Sequence, residues 1–336
     1  MINAFAALEV NADLQPFTYV EAPLAPEEVV IAITHCGICH TDIHMIDNDW
    51  ELSQYPLVPG HEIIGTVIAR GNLVTDLNLG QRVGLGWQVG ACFHCDNCKK
   101  GNENYCGKHQ PICIGRFGGF ATHVTADHRF VFPIPEGMDS AKTAPLLCAG
   151  ITVFNAMIRH NVLPTHHVGI IGLGGLGHIA LQFAKAFGCE VSVFSSSKDK
   201  EQEAYALGAT HFVLTQDEKE LEKRKDSLDF LLSTIHVDQN WSAYLNLLHP
   251  LGHLCFVGVP PQPLNIAAVT LIDGGKSVSG SYIGNRQRMR EMLNFAALHK
   301  IAALVEVVPL SQVNDAIAKV RSNKARYRMV VKIEEI

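Results

Sequence analysis

The chain has 336 residues, more than one hydrophobic core usually supports, so two domains of roughly 100 to 200 residues each are expected. Hydrophobic residues make up 47% and charged residues 18%, no run of about 18 apolar residues offers a membrane span, and the first ten residues lack the basic start and apolar run of a secretory signal. A soluble, cytoplasmic protein is expected; its net charge of −6 comes without a basic block of the kind that grips a phosphate backbone, so nucleic acid is disfavoured as a partner and a small molecule is favoured.

The first chemistry-bearing stretch reads Cys36-Gly-Ile-Cys39-His40-Thr41-Asp42-Ile-His44, and it is followed by Val58-Pro-Gly-His61-Glu62. Thr41 and His44 are three apart, which on a short helix puts both side chains on one face and makes a proton relay geometrically reasonable. A thiolate, an imidazole with an adjacent carboxylate, and a second thiolate supplied from Ala144-Pro-Leu-Leu-Cys148 could form an open Cys2His zinc shell, although ligands so scattered are weak as a spacing signal.

Cys92, Cys95, Cys98 and Cys106 crowd into residues 92–106 with polar and glycine residues between them, which describes a loop. Four thiolates brought together by short loops give the closed tetrahedral shell of a structural Zn2+ with no open position. An iron–sulfur cluster uses similar spacing, and chance burial of four thiols is the bland alternative, which the hydrophilic neighbours oppose. The remaining cysteines, Cys36, Cys113, Cys189 and Cys255, are dispersed along the chain, and the family resemblance given below implies packing thiols for them. His35, His94, His166 and His167 read as surface, loop or strand-end residues.

From Val168 the chain runs as a buried strand, the turn Gly172-Leu173-Gly174-Gly175-Leu176-Gly177, and a helix closing at Gly188. The first glycine permits the tight turn, the second lets a pyrophosphate approach the backbone, and the third lets helix and strand pack. At the end of the next strand, Glu190 to Phe194, stand Ser195, Ser196 and Ser197 where an NAD enzyme carries an acid. Three hydroxyls, the free N–H groups of a helix start and a nearby ammonium instead suit the 2′-phosphate of NADP, unless the serines merely cap the helix running to Leu207. Further strands near His211, Asp229, His253 and Ser277 complete a six-stranded doubly wound sheet, and the charged run Gln216 to Asp226 reads as a solvated helix face.

Through CGICHTDIH, PGHE, GACFHCDNCKKGNENYC, APLLCAGITVF and GLGGLG, in that order, the chain resembles the zinc-containing medium-chain alcohol dehydrogenases from end to end, and most of all the cinnamyl alcohol dehydrogenase group. The resemblance implies an α/β fold: a β-rich GroES-like catalytic domain (1–150, with the structural-zinc lobe 92–106, and 285–336) and a Rossmann cofactor domain (151–284), with the cleft between them holding nicotinamide and zinc. It implies two zinc ions per subunit, the catalytic one on Cys39, His61 and Cys148 with Glu62 as an exchangeable ligand. Thr41 and His44 then relay a proton through the nicotinamide ribose. His40, Thr152, Thr234, Gly258, Ser281, Tyr282 and Ile283 join the cofactor contacts, and Lys200 joins the serines on the 2′-phosphate. The stretch Ser233-Thr234-Ile-His departs from the Asp-Thr-Val of many relatives. Trp50, Trp87 and Tyr282 are candidates for an apolar substrate wall.

The expected activity is hydride transfer between nicotinamide C4 of NADP(H) and a primary alcohol or aldehyde, cinnamyl-type aromatic ones included, in a homodimer. The rivals are an NAD-dependent polyol dehydrogenase, which should carry an acid at Ser195 or Ser196, and a non-catalytic dinucleotide-binding protein of the same fold.

Overall fold

The computed structural model describes residues 1–334, in two compact units, Met1–Ile151 with Gly284–Ile336 and Thr152–Ile283. Ile151 and Gly284 both belong to the first unit, where a Cβ on Gly284 would lie 2.6 Å from Ile151 Cδ1.

The first unit is built on a seven-stranded sheet whose long central strand, Glu28–Ile38, alternates buried and part-exposed residues, as a strand covered on one face should. Antiparallel to it lie Glu62–Arg70, His123–Asp127 and the returning C-terminal strand Arg328–Lys332, with Cys36 opposite both Ile63 and Val331. This register sets three chain-distant strand ends side by side: Gly37 faces Glu62, and Arg328 opens the strand on the other flank. The core beneath them includes Val29, Ile31, Leu57, Ile63, Val67 and Phe120, all essentially inaccessible to solvent.

The second unit holds six parallel strands: β1 (His167–Ile171), β2 (Glu190–Ser195), β3 (His211–Leu214), β4 (Leu228–Ser233), β5 (Leu248–Phe256) and β6 (Ser277–Gly280). Their order, β3-β2-β1-β4-β5-β6, is that of a doubly wound dinucleotide-binding sheet. Val168–Ile171 and Val191–Ser195 are buried throughout, as parallel strands covered on both faces should be. The charged run contains only the short helix Glu218–Glu222, capped by the Asp217 carboxylate. No single helix among the described residues is long and apolar enough to cross a membrane.

Candidate active site and dinucleotide site

Cys39 is the N-cap of the helix His40–Asp47, His61 immediately precedes the strand Glu62–Arg70, and Cys148 follows the buried turn Ala144–Leu147. One ligand atom from each of Cys39, His61, Glu62 and Cys148 lies within 4.8 Å of every other. Two of these atoms, His61 Nε2 and Glu62 Oε2, are buried without a hydrogen-bond partner. Such an orphan costs free energy unless something positive meets it, and two thiols beside a lone imidazole nitrogen and a carboxylate oxygen are a zinc donor set. The residues therefore fit the ion.

Asp42, to which the sequence reading gave no role, organises this cluster. Its Oδ1 accepts from His61 Nδ1 at 3.0 Å and from the Gly60 N–H at 2.8 Å, and its Oδ2 accepts from the Cys39 N–H at 2.9 Å. The proton fixed on Nδ1 leaves the Nε2 lone pair facing the sulfurs, the carboxylate–histidine arrangement that orients metal ligands. Burial opposes charge on His61, but the charge and hydrogen bond of Asp42 override it and raise the imidazole pKa well above its usual value, which makes Nε2 a stronger donor to a cation that takes the place of the proton. The Cys148 thiol, donating to Cys39, pulls the Cys39 pKa well down and is itself pushed up.

Arg328 was missed as well. Its guanidinium, almost fully buried, donates from NH2 to Glu62 Oε1. Burial lifts the Glu62 carboxyl to about 7 against the pull of Arg328. Glu62 fits only because Gly37 opposite it has no side chain: a Cβ there would lie 1.9 Å from Glu62 Oε2. A signal existed in the Tyr327-Arg328 pair before an apolar run, but it becomes meaningful only with the sheet register.

The relay candidates sit on the helix His40–Asp47, where Thr41 and His44 are half-buried. His44 Nδ1 bonds Asp49 Oδ2 at 2.7 Å, a partner the sequence reading did not name, and the ring lies against Trp50 at 4.9 Å. His40 lies beside His44 with ring centroids 6.5 Å apart. Trp87 sets its ring edge-on to His61 at 5.4 Å, so of the three aromatic candidates it is the one against a ligand.

In the lobe, all four cysteines are free thiols and their sulfurs converge, with Cys92–Cys106 at 3.5 Å and Cys92–Cys98 and Cys95–Cys106 at 3.9 Å. A tetrahedron of ~2.3 Å Zn–S bonds has S···S edges of about 3.8 Å, so these residues fit zinc too. Backbone N–H groups of His94 and Cys95 lower the Cys92 thiol to about 6. Buried Glu103 anchors the lobe by accepting from the backbone N–H and Nε of Arg286 at 2.8 and 2.9 Å. Exposed His94 stays a loop residue.

In the second unit the three glycines divide the labour. Gly172 has φ +93, a Cβ on Gly177 would lie 1.8 Å from the Gly172 carbonyl oxygen, and a Cβ on Gly174 would meet nothing within 4 Å. That open space above the start of the helix Gly177–Ala186 fits a pyrophosphate. Gly175 and Leu176 complete the turn, and buried Leu173 offers its carbonyl to Lys200 Nζ at 2.9 Å. Thr234 Oγ1 donates to the Ile171 and Gly172 carbonyls at 2.9 and 3.1 Å, so it staples the turn. A Cβ on Gly258 would lie 2.1 Å from the Ile235 carbonyl oxygen. Thr152 is buried, and Asn155 Nδ2 donates to Ser281 Oγ and to the Tyr282 carbonyl. Ile283 ends this segment.

The serines differ among themselves. Ser195 is buried and its Oγ accepts from the Ser197 N–H at 3.2 Å, whereas Ser196 is exposed and Ser197 half-buried. Ser197 itself makes no side-chain cap hydrogen bond. No acid stands at the end of β2.

The fold and site define a zinc-type medium-chain dehydrogenase. Residues 25–136 match the alcohol dehydrogenase GroES-like domain and residues 175–297 the zinc-binding dehydrogenase domain. The chain is 43% identical over 331 residues to the aldehyde reductase AdhA of Synechocystis sp. (98% of each chain), and 40% identical over 344 residues to a probable cinnamyl alcohol dehydrogenase of Arabidopsis thaliana (99% of this chain, 94% of the other). Among solved structures it superposes on a cinnamyl alcohol dehydrogenase of Sorghum bicolor with TM-score 0.95 at 37% identity (100% and 99% covered). It superposes on the Helicobacter pylori enzyme complexed with NADP(H) with TM-score 0.92 at 32% identity (98% and 97% covered). The chain belongs to the zinc-containing medium-chain alcohol dehydrogenases, in the group of cinnamyl alcohol dehydrogenases and aldehyde reductases.

Proposed function

We propose that this protein interconverts primary alcohols and aldehydes, aromatic ones included: alcohol plus NADP+ gives aldehyde, NADPH and a proton. The observation that carries this reading is the buried Cys39–His61–Glu62–Cys148 cluster with its two orphaned donor atoms, beside the ring of Trp87. Zinc held there supplies a Lewis acid that polarises a carbonyl or acidifies an alcohol.

The chain's own residues do the rest. Asp42 keeps His61 in one tautomer, Arg328 balances Glu62, and Trp87 gives the oxygen-binding end an apolar wall. The Thr41 hydroxyl would take the proton leaving an alcohol as it gives up its own, by way of the nicotinamide ribose, towards His44. His44, steadied by Asp49 and partly open to water, delivers it to solvent. NADP is favoured over NAD by Ser196, Ser197 and Lys200 at a strand end with no acid. The open edge of β6, which has a neighbour on one side only, suits pairing with a second copy, hence a homodimer. Ten free cysteines suit the reducing cytoplasm.

The test is aldehyde-dependent oxidation of NADPH and NADH over aromatic and aliphatic aldehydes, before and after metal chelation. Turnover with NADPH that chelation abolishes supports the reading; no oxidation of either cofactor with any aldehyde overturns it.

A further inference from the structure

A second group of ligating side chains lies at the N-terminal ends of β1, β2 and β3, the opposite end of these strands from the glycine turn and the serine run. The parallel register pairs His167 with Glu190 and Ser192 with His211. Glu190 and Ser192 are two apart on β2, so all four residues share one face of the sheet. His211 Nε2 lies 2.7 Å from Glu190 Oε1, and His167 Nε2 lies 4.0 Å from the same oxygen. One ligand atom from each of the three lies within 4.8 Å of the others. The sequence reading set His167 aside as a strand-end residue, and the register gives it two partners that sequence distance concealed.

We propose that His167, Glu190 and His211 form a third metal site that takes a borderline divalent cation of the zinc class through two imidazole nitrogens and one carboxylate. Two imidazoles and a carboxylate converging from one side are a donor set for zinc or a neighbouring transition ion, with the outer positions left to water. The three ligands stand on hydrogen-bonded strands, whose spacing is fixed by the ladder, so the site is formed in advance. His167 is the best held: its side chain is 13% exposed, Nε2 meets Ser192 Oγ at 2.8 Å, its backbone N–H donates to Asp229 Oδ2 at 2.7 Å, and the ring hydrogen-bonds the backbone at Ser227. Arg224 acts on both residues: its charge opposes a cation at His167 and attracts the Glu190 carboxylate. A bound ion ties together the two strands whose far ends carry the glycine turn and the serine run.

Zinc is titrated into purified full-length protein already loaded with two zinc ions per chain, by calorimetry and by metal analysis after gel filtration. The expected result is a third equivalent per chain. Glu190→Gln and His211→Asn should each weaken it more than about 100-fold, since even outer-shell changes cost 10- to 100-fold, while aldehyde turnover stays at the wild-type value. Saturation at two equivalents, or a third equivalent that both variants retain, overturns the proposal. A His167→Asn/His211→Asn double variant keeps the test decisive if one imidazole suffices for residual binding: a third equivalent in that variant places the ion elsewhere. All variants are first checked for the wild-type melting transition.

Discussion

Removing the guanidinium of Arg328 tests the electrostatics of the proposed catalytic site most directly. Arg328 and Glu62 are both almost fully inaccessible and bound to each other, and Glu62 Oε2 faces the sulfurs without a partner. Arg328→Met keeps much of the side-chain volume and leaves a buried carboxylate without its cation. Breaking one half of such a pair costs about 3–5 kcal/mol. For a unit the size of Met1–Ile151 with Gly284–Ile336, about 2–4 °C per kcal/mol, this lowers the melting midpoint of the metal-free protein by roughly 6–20 °C. With zinc loaded the drop is smaller, because the ion offers Glu62 a second counter-charge, but turnover falls about 10- to 100-fold as Glu62 competes for the position substrate oxygen needs. Removing both charges in Arg328→Met/Glu62→Gln restores much of the lost stability, since it is the unpaired charge that costs. Midpoints by calorimetry and steady-state rates decide it. A loss below about 1 kcal/mol in the metal-free single variant, or a double variant as destabilised as the sum of the singles, refutes the reasoning.

Cys39→Ser abolishes aldehyde turnover while the melting midpoint stays within a few degrees of wild type, whereas Cys98→Ser lowers the midpoint and releases one zinc per chain; wild-type turnover in Cys39→Ser sinks the ligand assignment. Lys200→Ser raises the KM for NADPH about 10-fold or more and leaves that for NADH nearly unchanged, as expected for loss of a hydrogen bond to a charged group; equal changes for both cofactors count against the phosphate role. His160, stacked on His253 with ring centroids 3.9 Å apart, has its pKa lowered from 6.5 to about 4, by burial first and then by the charges of His253 and Arg159. The unfolded chain thus takes up this proton before the folded one. The contribution to stability is complete above about pH 6.5 and is lost as pH falls towards 4, so the midpoint drop between pH 7.5 and 5 should shrink in His160→Asn. An identical drop in wild type and variant rules this out.

Much of the site was legible where chemistry is local. The lobe is written in four thiols within residues 92–106, and sulfurs 3.5–3.9 Å apart are what such short loops produce. The glycine turn is equally local: Gly172 and Gly177 each meet a separate steric demand of one strand–helix junction, and Gly174 leaves open space above it. The serine run is legible in composition and not in role, because burial of Ser195 and its bond to Ser197 depend on where β2 ends.

What the sequence hides is whatever acts through the sheet. His61 is recognisable as a ligand, yet the acid that fixes its tautomer, Asp42, comes from a helix turn, and the base that balances Glu62 comes from the C-terminal strand. Both are second partners, defined by the atom they leave free and not by any spacing of their own. The strand register makes the connection, with Gly37 facing Glu62 and Val330 at once. The same reasoning applies within the second unit: His167, Glu190 and His211 are spread over three strands, and only parallel pairing in register turns three ordinary polar residues into one donor set. Ligand types can therefore be read along the chain, but the counter-charges that decide their protonation must be read across the ladder.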